Sequence, residues 1–182
     1  MSKNITESLA KMIEKGNEGL PLKSDVVKVG FKRLSDTAVI PTRAHESDSG
    51  FDLVASEDVI IEPGETKVIP TGIAVELPDG YEAQVRPRSG VTAKTKLRVQ
   101  IGTIDNGYTG EIGVIVDNIA SVGFSVDGVC YPLADIKKGT RIAQLVVQEL
   151  PKVKAFEVEE ISDSERGASG FGSTGTTTKG RE

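Results

Sequence analysis

The chain has 182 residues, 37% of them hydrophobic, and a formal net charge of -5 at neutral pH. This length suits one domain with a buried core, and a negative net charge gives no basic footprint for a nucleic-acid polymer. Cys130 and His45 are the only cysteine and the only histidine, which excludes an intrachain disulfide and argues against a Cys–His or Ser–His catalytic pair. No apolar run is long enough to cross a membrane and no signal peptide is recognisable, so a cytoplasmic location is expected.

The first predicted element is a short amphipathic helix near the N-terminus. Asn4 stands in its N-cap position, and Gly16 ends its apolar pattern. Residues 1–24 are therefore predicted to be a helical extension with a linker, residues 25–160 a β domain, and residues 161–182 a flexible C-terminal arm.

Short β-type runs follow from Val26 onward, separated by turn-forming groups such as Glu62-Pro63-Gly64. The predicted strands are Val26–Phe31, Phe51–Ala55, Val59–Ile61, Lys67–Ile69, Ile73–Leu77, Tyr81–Val85, Leu97–Ile101, Glu111–Val116, Gly123–Val126, Val129–Leu133, Arg141–Gln148 and Phe156–Val158. No helix of useful length separates them, which excludes a doubly wound α/β sheet and its nicotinamide and P-loop enzymes. The pattern predicts an all-β antiparallel sandwich or barrel.

The segment Arg166–Gly175, reading R-G-A-S-G-F-G-S-T-G, has the composition of a flap over a nucleoside phosphate. Its glycines let successive N–H groups converge on an anion, Arg166, Ser173 and Thr174 add donors, and Phe171 is free to stack on a base. A P-loop is excluded because the sequence G-x-x-x-x-G-K-[ST] between a strand and a helix is missing. The alternative is a disordered Gly/Ser/Thr tail.

Two earlier segments carry candidate phosphate and metal ligands. The run Arg86-Pro87-Arg88-Ser89-Gly90 follows a predicted strand and offers a guanidinium, a hydroxyl and a glycine N–H to phosphate. The alternative is a solvated loop, which is the more common role of a basic turn at the end of a strand. Asp52 lies within an otherwise apolar run. It is either an ordinary edge-strand carboxylate or a partner of hydrated Mg²⁺, which needs only one or two carboxylates beside phosphates.

The segment Gly102–Gly110, reading G-T-I-D-N-G-Y-T-G, is predicted to be a hairpin between apolar strands. In the functional interpretation Asp105 polarises a water for attack, the backbone reads a base edge, and Tyr108 packs on a sugar. In the alternative, Asp105 only caps backbone groups of a decorated turn.

Five segments resemble, in order, the five motifs of the trimeric dUTPase family: S-G-F-D-L-V-A, R-P-R-S-G, G-T-I-D-N-G-Y-T-G-E-I, K-G-T-R-I-A-Q-L-V and R-G-A-S-G-F-G-S-T-G. The resemblance covers roughly residues 26–175. It implies a jelly-roll-like homotrimer in which three subunits build each active site and the C-terminal arm closes over a neighbouring one. The implied reaction is Mg²⁺-assisted hydrolysis of dUTP to dUMP and pyrophosphate, which keeps uracil out of DNA and supplies dUMP for dTMP synthesis.

The same resemblance implies a role for each candidate residue. Asp105 would activate the water that attacks the α-phosphorus, Tyr108 would exclude a 2′-hydroxyl, and the backbone from Gly102 would pair with uracil. Asp52 would meet Mg²⁺ through water. The other substrate-binding residues would be Arg88, Ser89, Gly90 and Gln144 at the phosphates, with Arg166, Phe171, Gly172, Ser173 and Thr174 in the arm.

Two segments depart from the compact family pattern and are candidates for binding a protein partner. Residues 1–24 lie outside the resemblance, and residues 117–137 form a longer link in which Val126-Asp127-Gly128-Val129 suggests an added hairpin.

Two other functions compete with dUTP hydrolysis. A dCTP deaminase would share the fold, but uracil-type recognition and the aromatic arm argue against it; a regulatory dUTP sensor would not need the water-directing carboxylate of Asp105.

Overall fold

A computed structural model describes residues 26–121, 124–126, 129–131, 133–164 and 167–168. The predicted N-terminal helix and the arm residues Arg166, Phe171, Gly172, Ser173 and Thr174 lie outside these described residues. The chain divides into two compact units, Met1–Pro151 and Lys152–Glu182. The predicted boundaries after residues 24 and 160 stay predictions.

The described part of the first unit consists of thirteen strands and one short helix. The strands are β1 (Gly30–Arg33), β2 (Phe51–Val54), β3 (Val59–Ile61), β4 (Thr66–Pro70), β5 (Ile73–Glu76), β6 (Tyr81–Pro87), β7 (Leu97–Val99), β8 (Gly102–Ile104), β9 (Gly113–Asn118), β10 (Phe124–Val126), β11 (Val129–Tyr131), β12 (Ala134–Ile136) and β13 (Arg141–Glu149); α1 (Ser89–Lys94) lies between β6 and β7. None of the described helices is long and apolar enough to cross a membrane.

The strands pair antiparallel throughout the described residues, in sheets whose neighbours are mostly distant in sequence. One sheet has the order β2-β13-β6-β8 and a second has the order β4-β9-β7. Three two-stranded pairs, β1-β5, β3-β12 and β10-β11, complete the set. Such long-range crossovers between antiparallel strands are typical of a jelly-roll-like sandwich, so the predicted all-β class is confirmed, with separate sheets rather than a closed barrel.

The core forms between the inner faces of the two larger sheets, because alternate residues of each strand point inward. Leu53, Val85 and Leu145 are buried on the first sheet, and Val114 and Val116 are buried on β9 of the second. Burying a side chain of this size contributes about 1.5–3 kcal/mol. The core therefore fixes the strand ends that carry the candidate site residues.

Three local differences from the sequence predictions have physical causes. The run predicted as one strand, Leu97–Ile101, ends at Val99 and is followed by the separate strand β8. The strand predicted at Phe156–Val158 is wrong, because this segment has no regular structure and Phe156 is 78% exposed. The helix α1 was not predicted, since six residues are too few to show a 3.6-residue period.

The two predicted hairpins have opposite outcomes. Strands β10 and β11 pair antiparallel with Val126 opposite Val129, so the added hairpin in the 117–137 link is confirmed. The segment Gly102–Gly110 is not a two-stranded hairpin: β8 pairs with β6, whereas β9 pairs with β4 and β7. The segment after β8 instead passes from the first sheet to the second.

Candidate active site

The predicted phosphate and metal ligands outside the C-terminal arm, which are Asp52, Arg88, Ser89, Gly90 and Gln144, line one cavity of about 640 Å³, called here the Asp52 pocket. Its walls come from β2, β13, the start of α1 and the loop before β2. The lining residues are Ala44, Asp48, Ser49, Gly50, Asp52, Arg88, Ser89, Gly90, Val91, Lys94, Thr95 and Gln144. The structure thus brings together the candidates from three separated motifs.

Strand register explains why Asp52 and Gln144 meet. Gln144 on β13 lies opposite Asp52 on β2 and opposite Arg86 on β6, and directly opposed residues share a face of the sheet. The Gln144 amide donates a hydrogen bond to the Pro87 carbonyl at 3.0 Å. Gly50 must stay small, because a Cβ there would lie 2.8 Å from Gln144 Oε1.

The Asp52 carboxylate is held between two arginines. Its Oδ1 lies 3.3 Å from Arg88 Nε, and its Oδ2 lies 3.4 Å from Arg141 Nη1. The Asp52 side chain is only 18% exposed, so these ion pairs are partly shielded from solvent. Arg88 Nη1 also donates to the Arg141 backbone carbonyl at 3.3 Å.

A second carboxylate, Asp48, lies at the mouth of the same pocket. Its Oδ2 accepts a hydrogen bond from the His45 backbone N–H at 2.9 Å, and this bond lowers the pKa of Asp48. The group therefore stays ionised at neutral pH. The pocket combines anionic and cationic side chains, as a site for a metal-bound phosphate requires.

The predicted catalytic residue lies in a different cavity of about 450 Å³, called here the Asp105 pocket. The lining residues are Val68, Pro70, Val85, Gly102, Thr103, Ile104, Asp105, Tyr108, Glu111, Gly113 and Ile115. Its apolar wall and exposed polar mouth suit a flat base with a sugar attached. Gly102, Asp105 and Tyr108 are thus brought together, as the sequence predicts.

A tight turn presents Asp105 to solvent. The Tyr108 N–H donates to the Asp105 carbonyl at 3.0 Å, which closes the turn. The Asn106 amide donates to the carbonyls of Leu77 and Pro78 at 3.1 and 2.7 Å, so the tip of the turn is tied to the strand below it. The exposed Asp105 carboxylate is free to contact water.

Tyr108 is positioned from the other side by Glu111. The Tyr108 hydroxyl donates to the Glu111 carbonyl at 2.9 Å, and Glu111 Oε1 accepts from the Gly72 N–H at 2.7 Å. A Cβ at Gly110 would lie 2.5 Å from the Tyr108 hydroxyl oxygen. The hydrogen bond to Glu111 therefore directs the Tyr108 ring, which is 45% exposed and lines the same pocket as Asp105.

The structure separates the candidate residues into two sets. The Asp52 pocket and the Asp105 pocket have no lining residue in common. Sequence reasoning missed Asn106, Glu111 and Arg141, whose roles depend on contacts that no local pattern reveals. For Arg141 the one available signal was its place three residues before Gln144.

Comparison with known proteins decides the family. The family model described as dUTPase matches residues 36–175, which include both pockets. The chain belongs to the dUTPase family.

The alignments between this chain and similar dUTPases extend over nearly the whole length of those proteins. The deoxyuridine 5'-triphosphate nucleotidohydrolase of Clostridioides difficile is 48% identical over 146 residues, which are 79% of this chain and 95% of that protein. The enzyme of the same name from Gloeothece citriformis is 44% identical over 154 residues, 84% of this chain and 99% of that protein. Sequence similarity therefore spans the β domain.

Solved dUTPase structures share the fold. A variant of the Staphylococcus bacteriophage 80alpha dUTPase with dUpNHpp superimposes with a TM-score of 0.76 at 36% identity, covering 81% of this chain and 98% of that one. The dUTPase from phage phi11 of S. aureus gives 0.69 at 33% identity, covering 75% and 99%. The jelly-roll-like architecture is thus that of a dUTPase.

The donor set of this dUTPase fits a metal held mainly by its substrate. Among the residues that the structure describes, no three His, Cys, Asp or Glu side chains cluster as a metal site. Two partly buried carboxylates, Asp52 and Asp48, line the pocket that contains the described phosphate candidates. This arrangement suits Mg²⁺, which keeps several waters and takes phosphate oxygens as its main ligands.

Proposed function

We propose that this chain hydrolyses dUTP to dUMP and pyrophosphate. The observation that carries the proposal is the match to the dUTPase family over residues 36–175, within which Asp105 and Tyr108 share one pocket. Relatives with 44–48% identity are named as deoxyuridine triphosphate nucleotidohydrolases. The reaction would deplete dUTP and supply dUMP for dTMP synthesis.

The chemistry assigned to Asp105 is activation of water. Its exposed carboxylate accepts a hydrogen bond from a water and takes a proton as that water attacks the α-phosphorus. The bond from the α-phosphorus to the bridging oxygen breaks, and pyrophosphate leaves with that oxygen. Such a reaction needs charge neutralisation and in-line positioning more than a covalent nucleophile.

Selection of base and sugar is assigned to the segment that begins at β8. The backbone N–H and C=O groups from Gly102 to Tyr108 would pair with uracil, and the Tyr108 ring would press on the deoxyribose and leave no room for a 2′-hydroxyl. The position of the Tyr108 ring supports this role, because the ring lines the same pocket as Gly102 and Asp105. Phe171 of the arm would stack over the base.

The phosphates are assigned to the Asp52 pocket and the arm. Arg88, Ser89, Gly90 and Gln144 would bind the chain of phosphates, and Arg166, Gly172, Ser173 and Thr174 would close over its end. Mg²⁺ bound to the triphosphate would neutralise charge there. Asp52 would hold the metal through a water, and the phi11 dUTPase is described as coordinating a structural Mg(II) ion.

A homotrimer would reconcile the two separate pockets. The Asp52 pocket and the Asp105 pocket share no lining residue within one chain, and in a homotrimer each site would combine one pocket from each of two subunits. The C-terminal arm would come from a third. Location in the cytoplasm and lack of binding to nucleic-acid polymers stay predictions.

The deciding experiment is measurement of pyrophosphate release from dUTP with Mg²⁺, beside dTTP, dCTP and UTP at equal concentration. We expect release from dUTP alone, because a 5-methyl group, a cytosine edge and a 2′-hydroxyl are each excluded. Ammonia release from dCTP would instead identify a deaminase. Tight dUTP binding without any release would contradict hydrolysis and support a sensor.

A second candidate function is regulation through a protein partner. The confirmed β10–β11 hairpin in the 117–137 link supports it, as does the description of 80alpha dUTPases as controlling transfer of virulence genes. The phi11 structure is likewise described as showing a species-specific insert. Replacing residues 122–132 by a short Gly-Ser linker should keep dUTP hydrolysis and abolish capture of any partner that binds the hairpin; residues 1–24 are the alternative contact.

A further inference from the structure

We propose that Arg141 is a positioning residue for the triphosphate, acting through Asp52 and Arg88. It holds Asp52 Oδ2 away from the Arg88 N–H groups that make no described contact, and it supplies excess positive charge beside the phosphates. This inference rests on the proposed dUTP hydrolysis. Neither the motif comparison nor the family match assigns a role to Arg141.

A β-bulge places Arg141 beside Asp52. The register between β13 and β2 shifts between Arg141 and Ala143, where Arg141 pairs with Val54 but Ala143 pairs with the adjacent Leu53. In a regular strand, residues 141 and 144 point to opposite faces. The bulge re-aims Arg141 so that its guanidinium reaches the same carboxylate that Gln144 flanks.

Arg141 contacts both members of the Asp52–Arg88 pair with different atoms. Its Nη1 lies 3.4 Å from Asp52 Oδ2, and its backbone carbonyl accepts a hydrogen bond from Arg88 Nη1 at 3.3 Å. Asp52 Oδ1 faces Arg88 Nε at 3.3 Å. The three residues therefore form a closed ring of contacts, which runs through the side chains of Asp52 and Arg88 and through both the guanidinium and the backbone carbonyl of Arg141.

This ring leaves donors for a phosphate. A guanidinium has five N–H groups in a planar fork, and the described contacts of Arg88 use Nε and Nη1. Without Arg141, the free Asp52 Oδ2 would compete with phosphate for the remaining Arg88 donors. Arg141 thus keeps the phosphate-binding side of Arg88 available.

Arg141 also decides the sign of the local charge. Two carboxylates, Asp48 and Asp52, and two cations, Arg88 and Lys94, line the pocket, so their formal charges cancel. Arg141 is the additional cation bonded to this group. Removal of its charge would leave a neutral pocket, which attracts a triphosphate more weakly.

The test compares Arg141→Gln with Arg141→Lys and with Lys138→Gln. Lys138 is an exposed cation in the turn before β13, so its replacement removes the same charge without altering a side-chain contact of Asp52. Calorimetry measures the binding of dUpNHpp, with Mg²⁺ and with EDTA, and the binding of dUMP. The thermal unfolding midpoint of each variant is measured as well. We expect Arg141→Gln to weaken dUpNHpp binding by about fivefold to tenfold, as for loss of a partly shielded ion pair.

Six further results are expected if Arg141 acts as proposed. Arg141→Lys recovers most of the affinity, Lys138→Gln stays close to wild type, dUMP binding changes less than dUpNHpp binding, and the unfolding midpoint is unchanged. In an Asp52→Asn background the Arg141→Gln change has a smaller effect, because its partner is already altered. The KM for dUTP rises more than kcat falls.

Several outcomes would overturn the inference. Equal losses of dUpNHpp affinity in Arg141→Gln and Lys138→Gln would show that Arg141 acts only as a general surface charge. A full additive loss in the Asp52→Asn background would show that Arg141 does not act through Asp52. If the wild-type chain neither binds dUpNHpp nor hydrolyses dUTP, the proposed function itself fails, and that result is distinct from an active wild type with an unaffected Arg141→Gln variant.

Discussion

At the scale of single residues, the turn that carries Asp105 allows the proposed catalytic role of this carboxylate to be tested apart from substrate binding. The carboxylate is exposed, while the turn is held by backbone and Asn106 contacts that do not involve the Asp105 side chain. Asp105→Asn should therefore keep the turn and lose only the proton acceptor. We expect kcat for dUTP to fall by about 10²–10⁴-fold with dUpNHpp binding preserved, since a general base contributes on that order.

The matched control for this prediction is Asp79→Asn. Asp79 is an exposed carboxylate in another turn and lines neither described pocket. Pyrophosphate release and calorimetric binding separate the two effects. An Asp105→Asn chain that turns over dUTP normally would contradict the assignment of Asp105 as the base.

In the proposed function, sugar selectivity depends on the position of the Tyr108 ring, and Gly110 lies against that ring. A Cβ at residue 110 would lie 2.5 Å from the Tyr108 hydroxyl oxygen and 2.7 Å from the adjacent ring carbon. Gly110→Ala should displace the ring and reduce the preference for dUTP over UTP by about tenfold, the range of one lost steric contact. Competition between the two nucleotides measures this ratio.

Tyr108→Phe is the control that keeps the ring. It removes the hydroxyl donation to the Glu111 carbonyl but leaves the aromatic surface in place. The dUTP preference should therefore change little. If Tyr108→Phe relaxes selectivity as much as Gly110→Ala does, the hydroxyl and not the ring position sets the discrimination.

At the scale of elements, the connection between β4 and β5 supports the candidate catalytic turn from below. Gly72 has a φ of +65°, and its N–H donates to the Glu111 side chain next to Tyr108. A Cβ at Gly72 would lie 2.5 Å from Ser35 Oγ and 2.8 Å from Ala38 Cβ. Both the backbone conformation and the space at this position require glycine.

Gly72→Ala and Gly80→Ala form a matched pair that separates these two requirements. Gly80 has a φ of +80°, and a Cβ added there would meet no atom within 4 Å, so its replacement costs only backbone strain. We expect about 1 kcal/mol of destabilisation for Gly80→Ala and about 2–4 kcal/mol for Gly72→Ala. Urea unfolding measures both; equal values would show that the Ser35 and Ala38 contacts relax without cost.

The elements also show what the sequence could predict. Short alternating runs bounded by turn residues were sufficient to predict most strands, because each such run buries one face of a sheet. The prediction of a strand at Phe156–Val158 was wrong, because an alternating sequence pattern does not show whether a neighbouring strand is available to pair with it. The crossing of the Gly102–Gly110 segment between sheets depends on long-range pairing, which turn chemistry does not encode.

The candidate site likewise contains residues that the sequence predicts and residues that it does not. Asp105 and Tyr108 were predictable because they lie three residues apart in one turn. The Arg141 contact with Asp52 was not, because the bulge that creates it appears only when β13 pairs with β2. The structure leaves the arm roles of Arg166 and Phe171 as predictions.

At the scale of the whole molecule, the two separate pockets predict that catalysis is shared between subunits. Each chain offers one Asp52 pocket and one Asp105 pocket, and a homotrimer would place one from each of two neighbours around a single dUTP. An Asp105→Asn chain and an Arg88→Ala chain then carry their defects in different halves of the site. Each homotrimer alone should be inactive.

Mixed trimers of these two chains should regain activity. With random assembly of equal amounts, about a quarter of the sites combine an intact Asp105 from one chain with an intact Arg88 from its neighbour. Co-refolding the two variants from urea and assaying pyrophosphate release measures the recovery. The control mixture, Asp105→Asn with Tyr108→Ala, places both defects in the same pocket, so mixing should give no more activity than the average of the two homotrimers assayed separately. Absence of recovery in the first mixture would mean that one chain supplies both halves of its own site, and the shared-site assembly would be wrong.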